Sequence, residues 1–306
     1  MKIYTITLNP AFDLHASAKK LEIGHENLAE MTSRDAGGKG INISRALCAN
    51  GVENTAIVVL GQENGADFRA LLDEYGVNYI AIEKQGRIRE NLTMHTDGGE
   101  TRISFSGFSL DSSVLREIKS LIDCDKYTVV TFTGSVPCGI SISDCKKFLM
   151  ELRACGAKVV VDSKSFSLDD LIEVKPWLIK PNGEEISAYL KRDVTDFSDC
   201  ADAACALCDK GIENVMISLG ERGAMLINSN FSAVAEPPTI SAISTVGAGD
   251  STLAGFISAY IEGADDGEML SRAVAFGSAA CLLDGTAPPH SSSVAELSGK
   301  IKITSL

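Results

Sequence analysis

Short apolar runs alternate with helical patterns along most of this 306-residue chain. Strands that are covered on both faces read as near-continuous apolar runs, and helices between successive strands make those strands parallel. The alternation therefore predicts an α/β fold in which a mostly parallel sheet lies between layers of helices. The six runs cover residues 3–8, 56–60, 128–132, 158–161, 177–179 and 215–219.

Two helices have a clear amphipathic pattern. Apolar residues at the spacing i, i+3, i+4, i+7 lie on one face of a helix, and a glycine directly after the last of them is a stop signal. The first predicted helix stops at Gly76, and the second begins near Ser251 after a glycine-rich segment. Their apolar residues are Phe68, Leu71, Leu72 and Tyr75, and then Leu253, Phe256, Ile257 and Tyr260.

Residues 92–105 break this rhythm, because apolar and polar residues alternate on both sides of the turn Asp97-Gly98-Gly99. Such alternation around a short turn predicts a β-hairpin with one apolar face. We expect it to pair with a weaker extended stretch at 14–34 and to form a small sheet that projects from the core as a lid over a ligand site. The alternative is an antiparallel extension at the edge of the main sheet.

Charge restricts the partners of the chain. Its formal net charge is −13, from 28 Lys and Arg residues against 41 Asp and Glu residues. This balance argues against a general nucleic-acid binder and against attachment to an anionic membrane by charge. No apolar run approaches the roughly 18 residues of a membrane span, and the first residues lack the apolar segment of a signal peptide, so we expect a cytosolic protein. A phosphate-bearing ligand would need a local cluster of Lys, Arg and backbone N–H groups.

The segment 244–250 leads directly into the second amphipathic helix. Glycines at a helix entrance leave several N–H groups pointing at one spot, with the positive end of the helix dipole behind them, which suits an anion. Asp250 has two interpretations: it caps the helix, which the segment alone slightly favours, or it is a general base beside a phosphoryl-binding hole. The segment fails the G-x-G-x-x-G test at Thr252.

A second glycine cluster, 37–40, also opens a helix but lacks the Ser or Thr of a Walker A motif after Lys39. The glycines permit close approach of a polyhydroxylated ligand, Lys39 adds charge, and Asn42 is placed to hydrogen-bond hydroxyl groups one turn on. A tight turn with a solvated lysine explains the same residues equally well. Asp13, which follows the first strand, is either a turn residue or a carboxylate that binds two hydroxyl groups.

Eight segments in order resemble the ribokinase-like carbohydrate kinases of the phosphofructokinase B type, and the resemblance covers nearly the whole chain. It implies a doubly wound α/β core with an ATP site, made of residues 1–10, 36–86 and 107–306, and a β-sheet lid over the sugar site, made of 11–35 and 87–106. The segments are 5–13, 37–42, 86–91, 105–108, 133–137, 177–182, 218–224 and 244–250.

The resemblance also implies roles for individual residues. Asp250 is the catalytic base, and a glycine-rich anion hole surrounds the transferring group. Arg89 binds the phosphate already present on the substrate, and Glu185 binds Mg²⁺ through water, which is reasonable because Mg²⁺ keeps several waters. The anion hole comprises Gly247, Ala248 and Gly249; the sugar contacts are Asp13, Gly38, Lys39, Asn42 and Ser135; the nucleotide contacts are Asn182, Ser218, Gly220, Gly223, Gly247 and Gly249.

The implied reaction is transfer of the γ-phosphoryl group of ATP, with Mg²⁺, to a hydroxyl group of a ketohexose phosphate. Lys39 and the segment 105–108 favour fructose 1-phosphate, whereas tagatose 6-phosphate and fructose 6-phosphate stay as alternatives. A sensor that binds a sugar phosphate or nucleotide without catalysis is the alternative of another class, since a fold does not fix a function. The resemblance further implies a homodimer that forms through the lid sheets.

Overall fold

The computed structural model describes residues 1–190 and 196–306, whose strands form a large sheet and a smaller separate one. The strands are β1 (Lys2–Thr7), β2 (Ala11–Ser17), β3 (Glu30–Gly37), β4 (Thr55–Gly61), β5 (Tyr79–Lys84), β6 (Arg89–Thr96), β7 (Gly99–Ile103), β8 (Thr128–Thr133), β9 (Lys158–Asp162), β10 (Leu178–Ile179), β11 (Asn214–Ser218), β12 (Ala224–Ile227), β13 (Ser232–Glu236) and β14 (Lys302–Ser305).

The large sheet has the order β14-β13-β12-β11-β10-β9-β8-β1-β4-β5. It is parallel from β11 to β5, and the strands from β11 to β14 pair antiparallel. All six predicted apolar runs are strands of this sheet, so the predicted fold class is confirmed. The run at 177–179 contributes only two residues, because Pro181 follows and has no N–H to donate to a ladder.

Two layers of helices cover the large sheet. The helices are α1 (Lys39–Ala49), α2 (Gly65–Glu74), α3 (Ser113–Leu121), α4 (Ile142–Ala154), α5 (Leu168–Val174), α6 (Gly183–Leu190), α7 (Phe197–Asp209), α8 (Ala248–Ile261), α9 (Asp266–Ala280) and α10 (Ser291–Ser298). Val129 and Val160 pack with α1, α8 and α9 on one face, whereas their neighbours Val130 and Val159 pack with α3, α4 and α7 on the other. Successive strand residues thus enter opposite cores, as buried parallel strands require.

The small sheet has the order β3-β2-β6-β7. The predicted hairpin is its β6–β7 pair, with Leu92 opposite Ile103, and the stretch predicted at 14–34 lies within β2, β3 and their connection. The alternative of an edge extension is wrong, because this sheet has no strand in common with the large one. The two parts of the small sheet meet through a parallel β2–β6 pairing that joins residues almost 80 positions apart.

The chain reverses its winding direction at two neighbouring strands. From β1 it proceeds through α1 to β4 on one side, and from β8 it proceeds through α4 to β9 on the other. Ligands of doubly wound sheets bind in the crevice that such a reversal opens at the carboxyl ends of the strands. Thr7 and Thr133, the last residues of β1 and β8, accordingly line a cavity at this place, which we call the principal cavity. In the part of the chain that the structure describes, every helix is too short or too polar to cross a bilayer.

Candidate active site

A cavity of about 620 Å³ lies between the carboxyl edge of the large sheet and one face of the small sheet. The two sheets contribute different chemistry: the large sheet and its helices supply Asp162, Lys180 and Asp250, and the small sheet supplies Arg89 and Arg102. The structure thus brings together most of the residues that the sequence predicts for catalysis and sugar binding. The predicted residues on the wall are Asp13, Gly38, Lys39, Asn42, Arg89, Ser135, Gly247, Gly249 and Asp250.

Asp250 lies in the first turn of α8, which begins earlier than the predicted Ser251. The N-cap position belongs to Gly247, whose φ of 76° is left-handed and favours glycine. The helix-cap interpretation of Asp250 is therefore wrong. Its carboxylate, on a residue that is 6% exposed, accepts a hydrogen bond from Asn42 Nδ2 at 2.8 Å.

Burial raises the pKa of Asp250 from 3.8 to about 6, with a further contribution from the nearby Asp162 carboxylate. The ammonium groups of Lys39 and Lys180 and the hydrogen bond from Asn42 oppose this rise. A carboxylate with such a pKa is mostly ionised at pH 7 and is a much stronger proton acceptor than an ordinary aspartate. Asp250 therefore has the properties of a general base.

Asp162 lies between two lysines at the end of β9. Lys39 Nζ is 2.9 Å from Asp162 Oδ1, and Lys180 Nζ is 3.6 Å from Asp162 Oδ2. Burial alone would raise the pKa of Asp162, but the two ammonium groups outweigh it and the pKa is lowered. We did not predict Asp162 or Lys180 from the sequence. Asp162 ends β9 and Lys180 directly follows β10, so the rule that carboxyl ends of parallel strands meet at one edge would have found them.

The amino end of α8 combines backbone N–H groups with a side-chain cation. Lys180 Nζ lies beside Gly249, only 3.1 Å from where a Cβ atom on that residue would be. The N–H of Ala248 donates to the carbonyl oxygen of Thr245 at 3.3 Å and so has a partner inside the loop. N–H groups of the first helical turn have no partner within the helix, and Gly247, Gly249 and Lys180 all line the cavity.

On the small sheet, Asp13 accepts hydrogen bonds from two neighbouring strands. Asn91 Nδ2 lies 2.9 Å from Asp13 Oδ1, and Arg102 Nη2 lies 3.2 Å from the same oxygen. The remaining lone pairs of the carboxylate are available to hydroxyl groups of a ligand. Asn91 and Arg102 are not among the predicted site residues, because their proximity to Asp13 depends on the parallel β2–β6 pairing.

Arg89 lies on the cavity wall but contacts backbone oxygen atoms. Its guanidinium donates to the carbonyl oxygens of Pro10, Phe105 and Asn9 at 3.0 to 3.4 Å. Because each terminal nitrogen carries two hydrogens, one N–H on each remains for a ligand. Ser135 Oγ, also on the wall, accepts a hydrogen bond from Asn9 Nδ2 at 2.8 Å.

Glu185, the residue predicted to bind Mg²⁺, forms hydrogen bonds with Asn182. Asn182 Oδ1 accepts from the Glu185 N–H at 2.7 Å, and Glu185 Oε2 accepts from the Asn182 N–H at 3.0 Å. This reciprocal pair caps the start of α6. Glu185 Oε1 lies 3.6 Å from Lys164 Nζ, and Glu185 shares the wall of a second, small cavity with Asp162. No group of three potential metal ligands occurs in residues 1–190 and 196–306.

The remaining predicted nucleotide residues lie outside the principal cavity. Ser218 ends β11 and forms an isolated parallel bridge with Asn182. Gly220 begins a short 3₁₀ turn, Gly220–Arg222. Gly223 closes that turn with a φ of 87°, and a Cβ atom there would lie 2.0 Å from the carbonyl oxygen of Ala235. The close approach of two strands therefore explains this glycine without a ligand.

Comparison with known proteins agrees with this geometry. A model of the pfkB family of carbohydrate kinases matches residues 8–292. The chain belongs to this family. The resemblance inferred from the ordered glycine-rich and polar segments is therefore confirmed.

Individual pfkB relatives match over most of their length. A 1-phosphofructokinase of Vibrio cholerae is 32% identical over 308 residues, 100% of this chain and 97% of that protein. A 1-phosphofructokinase of Escherichia coli K12 is 35% identical over 259 residues, 84% of this chain and 83% of that protein. The crystal structure of phosphofructokinase-2 from Escherichia coli with fructose-6-phosphate has a TM-score of 0.90 at 27% identity, and the match covers 98% of each chain.

Proposed function

We propose that the protein transfers the γ-phosphoryl group of ATP to fructose 1-phosphate, which gives fructose 1,6-bisphosphate and ADP. The observation that carries this proposal is the buried Asp250 carboxylate, with a pKa raised to about 6, in the first turn of α8. A base is needed to deprotonate a hydroxyl group, and a helix amino end is needed to stabilise a phosphoryl group. Family membership and the 1-phosphofructokinase relatives support the same reaction.

In the proposed reaction Asp250 accepts the proton of the acceptor hydroxyl group. The hydroxyl oxygen forms a bond to the γ-phosphorus, and the bond from that phosphorus to the β–γ bridging oxygen breaks, so the electron pair leaves with ADP. The N–H groups of Gly247 and Gly249 and the ammonium group of Lys180 stabilise the charge on the transferring group. Asn42 holds the Asp250 carboxylate through its 2.8 Å hydrogen bond.

The small sheet would hold the acceptor and exclude water, as a lid. Asp13 would bind sugar hydroxyl groups, with Gly38 and Ser135 on the same wall. Arg102, together with the free N–H groups of Arg89, would bind the phosphate already on the sugar. These cations provide the local positive charge that a protein of net charge −13 needs for an anionic substrate.

The site has few carboxylates that could bind Mg²⁺, and Mg²⁺ needs only few protein ligands. Mg²⁺ retains several waters and takes one or two carboxylates plus substrate phosphates. Glu185 and Asp162 line one small cavity next to the principal one, and Asp162 Oδ2 accepts no hydrogen bond within the described chain, although Lys180 Nζ lies 3.6 Å from it. These two residues would hold the ion, which when bound supplies neutralisation of the triphosphate charge. Ser218, Gly220 and Gly223 would lie on the nucleotide side.

The experiment that tests the function is ADP release with ATP and Mg²⁺ against fructose 1-phosphate, fructose 6-phosphate, tagatose 6-phosphate and free fructose, each ranked by kcat/KM. We expect fructose 1-phosphate to rank first. The neighbouring structure of a phosphofructokinase with fructose-6-phosphate supports the second candidate, a kinase for a 6-phosphate. A preference for a 6-phosphate would keep the mechanism and reject the substrate. Binding of all four ligands without ADP release would favour the sensor.

The lid also bears on assembly. Arg102 faces the cavity, so its neighbour Ile103 faces away from it, and Ile103 is 45% exposed. Met31 and Phe105, also from this region, are more than half exposed. An exposed apolar surface favours burial against a second copy, and we therefore propose a homodimer through the lid. Light scattering should give a dimer for the wild type and a monomer for Ile103→Glu; a wild-type monomer would reject the proposal.

A further inference from the structure

Arg45, in the middle of α1, is an arginine in a buried setting. The residue is 9% exposed, and its guanidinium carbon lies over the ring of Tyr75, 3.8 Å from the centroid. Burial lowers the pKa of Arg45, although Tyr75 and Asp35 offset part of the effect. A buried cation is unfavourable unless its N–H groups have partners, so its contacts are informative. One of them is to the wall of the active site.

That contact is to Thr286. Arg45 Nη1 donates to Thr286 Oγ1 at 3.3 Å, and Thr286 lines the principal cavity. Thr286 packs against Gly247, since a Cβ atom on Gly247 would lie 3.5 Å from both Cα and Cβ of Thr286. Gly247 is the N-cap of α8, so Thr286 supports the residue that opens the anion hole.

The same helix holds this segment at a second place. Asn50, which follows α1, donates from Nδ2 to the carbonyl oxygen of Pro289 at 3.0 Å. The connection between α9 and α10, residues 281–290, is therefore held by two side chains, one from the middle of α1 and one from the residue that follows it. Asn42, one turn before Arg45, meanwhile holds the Asp250 carboxylate. One helix thus contacts both the base and the segment beside the anion hole.

Arg45 is itself fixed from the lid side. Tyr75 donates its hydroxyl hydrogen to Asp35 Oδ1 at 2.9 Å and accepts from the Ala36 N–H at 3.2 Å. Asp35 lies on β3, directly opposite Asp13 in the sheet register. A continuous series of contacts therefore runs from the lid strand through Tyr75 and Arg45 to Thr286.

We propose that Arg45 is a positioning residue for the nucleotide half of the active site, which it serves by holding Thr286 against Gly247. This inference rests on the proposed kinase function and names a further residue on which that function depends. Without the guanidinium, Thr286 loses a charge-assisted hydrogen bond, and the loop at the amino end of α8 loses its lateral support. The affinity for nucleotide should fall, whereas the affinity for the sugar phosphate at Asp13 and Arg102 should stay the same.

The test compares Arg45→Met, Thr286→Val and the double variant by titration with mant-ADP, a fluorescent nucleotide that reports binding without turnover. Hydrogen bonds to charged groups contribute enough that Arg45→Met should raise the mant-ADP Kd about tenfold. Thr286→Val, which keeps the shape but removes the acceptor oxygen, should raise it by a similar factor. The double variant should be no worse than Arg45→Met, since both changes remove one interaction. KM for the sugar phosphate should stay within about twofold.

Arg153→Met is the control, because Arg153 is a half-buried arginine that donates a hydrogen bond far from the cavity, to the backbone carbonyl oxygen of Val174 at 2.7 Å. It should lower Tm without changing the mant-ADP Kd. A lowered Tm with a wild-type Kd for Arg45→Met, or fully additive effects in the double variant, would overturn the inference. If Arg45→Met does not fold, an unchanged Kd for Thr286→Val overturns it equally.

The proposed function and this inference fail in different ways. A wild-type protein that binds mant-ADP but phosphorylates no sugar phosphate contradicts the function, while the Kd values still decide the role of Arg45. A wild-type protein that binds no nucleotide contradicts both. If the wild type is a kinase and the Arg45→Met and Thr286→Val variants keep its mant-ADP Kd, only the inference is contradicted.

Discussion

The charged side chains on the two walls of the cavity differ in their exposure to solvent. On the large-sheet wall, Asp162 and Lys180 have side chains that are 5% and 7% exposed, and they form an ion pair at 3.6 Å. On the lid wall, Arg102 has a side chain that is 43% exposed and binds Asp13, which is 12% exposed. The first wall is desolvated, so its charges interact strongly, whereas the second exchanges its contacts with water.

From this difference we infer that the large-sheet wall carries the chemistry and that the small-sheet wall selects the substrate. A desolvated wall with fixed dipoles stabilises a transition state without reorganisation, which affects kcat. An exposed wall can form and release polar contacts to a sugar phosphate at little cost, which affects KM. Substitutions on the large-sheet wall should therefore change turnover and stability, and substitutions on the lid should change substrate affinity.

The largest effect should come from Asp250→Asn. Loss of a general base reduces kcat by about 100-fold to 10,000-fold. Near-wild-type turnover would reject Asp250 as the base and, with it, the assignment of chemistry to this wall. Ser135→Ala on the same cavity is the comparison, because it removes a hydroxyl group that takes no part in proton transfer, and it should retain most of the turnover.

The same substitution should stabilise the fold at neutral pH. The folded state raises the pKa of Asp250 from 3.8 to about 6, so ionisation of this group above pH 6 opposes folding. Asparagine removes that penalty, worth up to about 3 kcal/mol because each tenfold change in an ionisation constant corresponds to about 1.4 kcal/mol. Urea unfolding should show the gain at pH 8 and its loss below about pH 3, where the carboxyl group is protonated in both states.

The second effect concerns the Asp162–Lys180 pair. Lys180→Met leaves the buried Asp162 carboxylate with Lys39 alone, and removal of one partner of a buried pair typically costs about 3 to 5 kcal/mol. Lys300→Met is the control, because its pair with Glu296 is more than half exposed and should contribute little to the free energy of unfolding. Equal losses of unfolding free energy in the two variants would contradict the contrast between a desolvated wall and a solvated surface.

The third effect lies on the lid. Arg102→Met should raise KM for the sugar phosphate about tenfold, since a charge-assisted hydrogen bond is lost, and should leave kcat nearly unchanged. Asn91 still holds the Asp13 carboxylate in the variant. Arg87→Met is the lid control, because Arg87 pairs with Glu90 at 3.1 Å on the surface. A fall in kcat with constant KM would mean that the lid takes part in chemistry.

The same contrast explains how much the sequence predicts. Gly38 and Gly247 were found because helix entrances have local signatures, and both residues are N-caps in the structure. The six central strands were found because continuous apolar runs imply burial on both faces. Four strands at the two edges of the large sheet, β5, β12, β13 and β14, were missed, because β12 and β13 are short, β5 is mostly half-buried and β14 is exposed throughout.

Contacts between distant segments have no local signature in the sequence. Asn91 and Arg102 reach Asp13 only because β2 pairs parallel with β6, and no local pattern encodes that pairing. Asp162 looks like an ordinary residue at a strand end, and its charge balance depends on Lys39, 123 positions away. The helix-cap interpretation of Asp250 was wrong because a left-handed glycine at 247 lets α8 begin before the predicted Ser251.

The smallest expected effect is a shift of a pH profile. Because Asp250 must be ionised to accept a proton, kcat/KM should rise with pH and level off above an apparent pKa near 6. The hydrogen bond from Asn42 favours the ionised form, so Asn42→Ala should raise that pKa and move the acidic limb upward by less than about one pH unit. Asn78→Ala, an exposed change, should leave the limb in place. An acidic limb that moves to lower pH would mean that Asn42 acts on the sugar. The pKa of Asp250 would then depend on Lys39 and Lys180 alone.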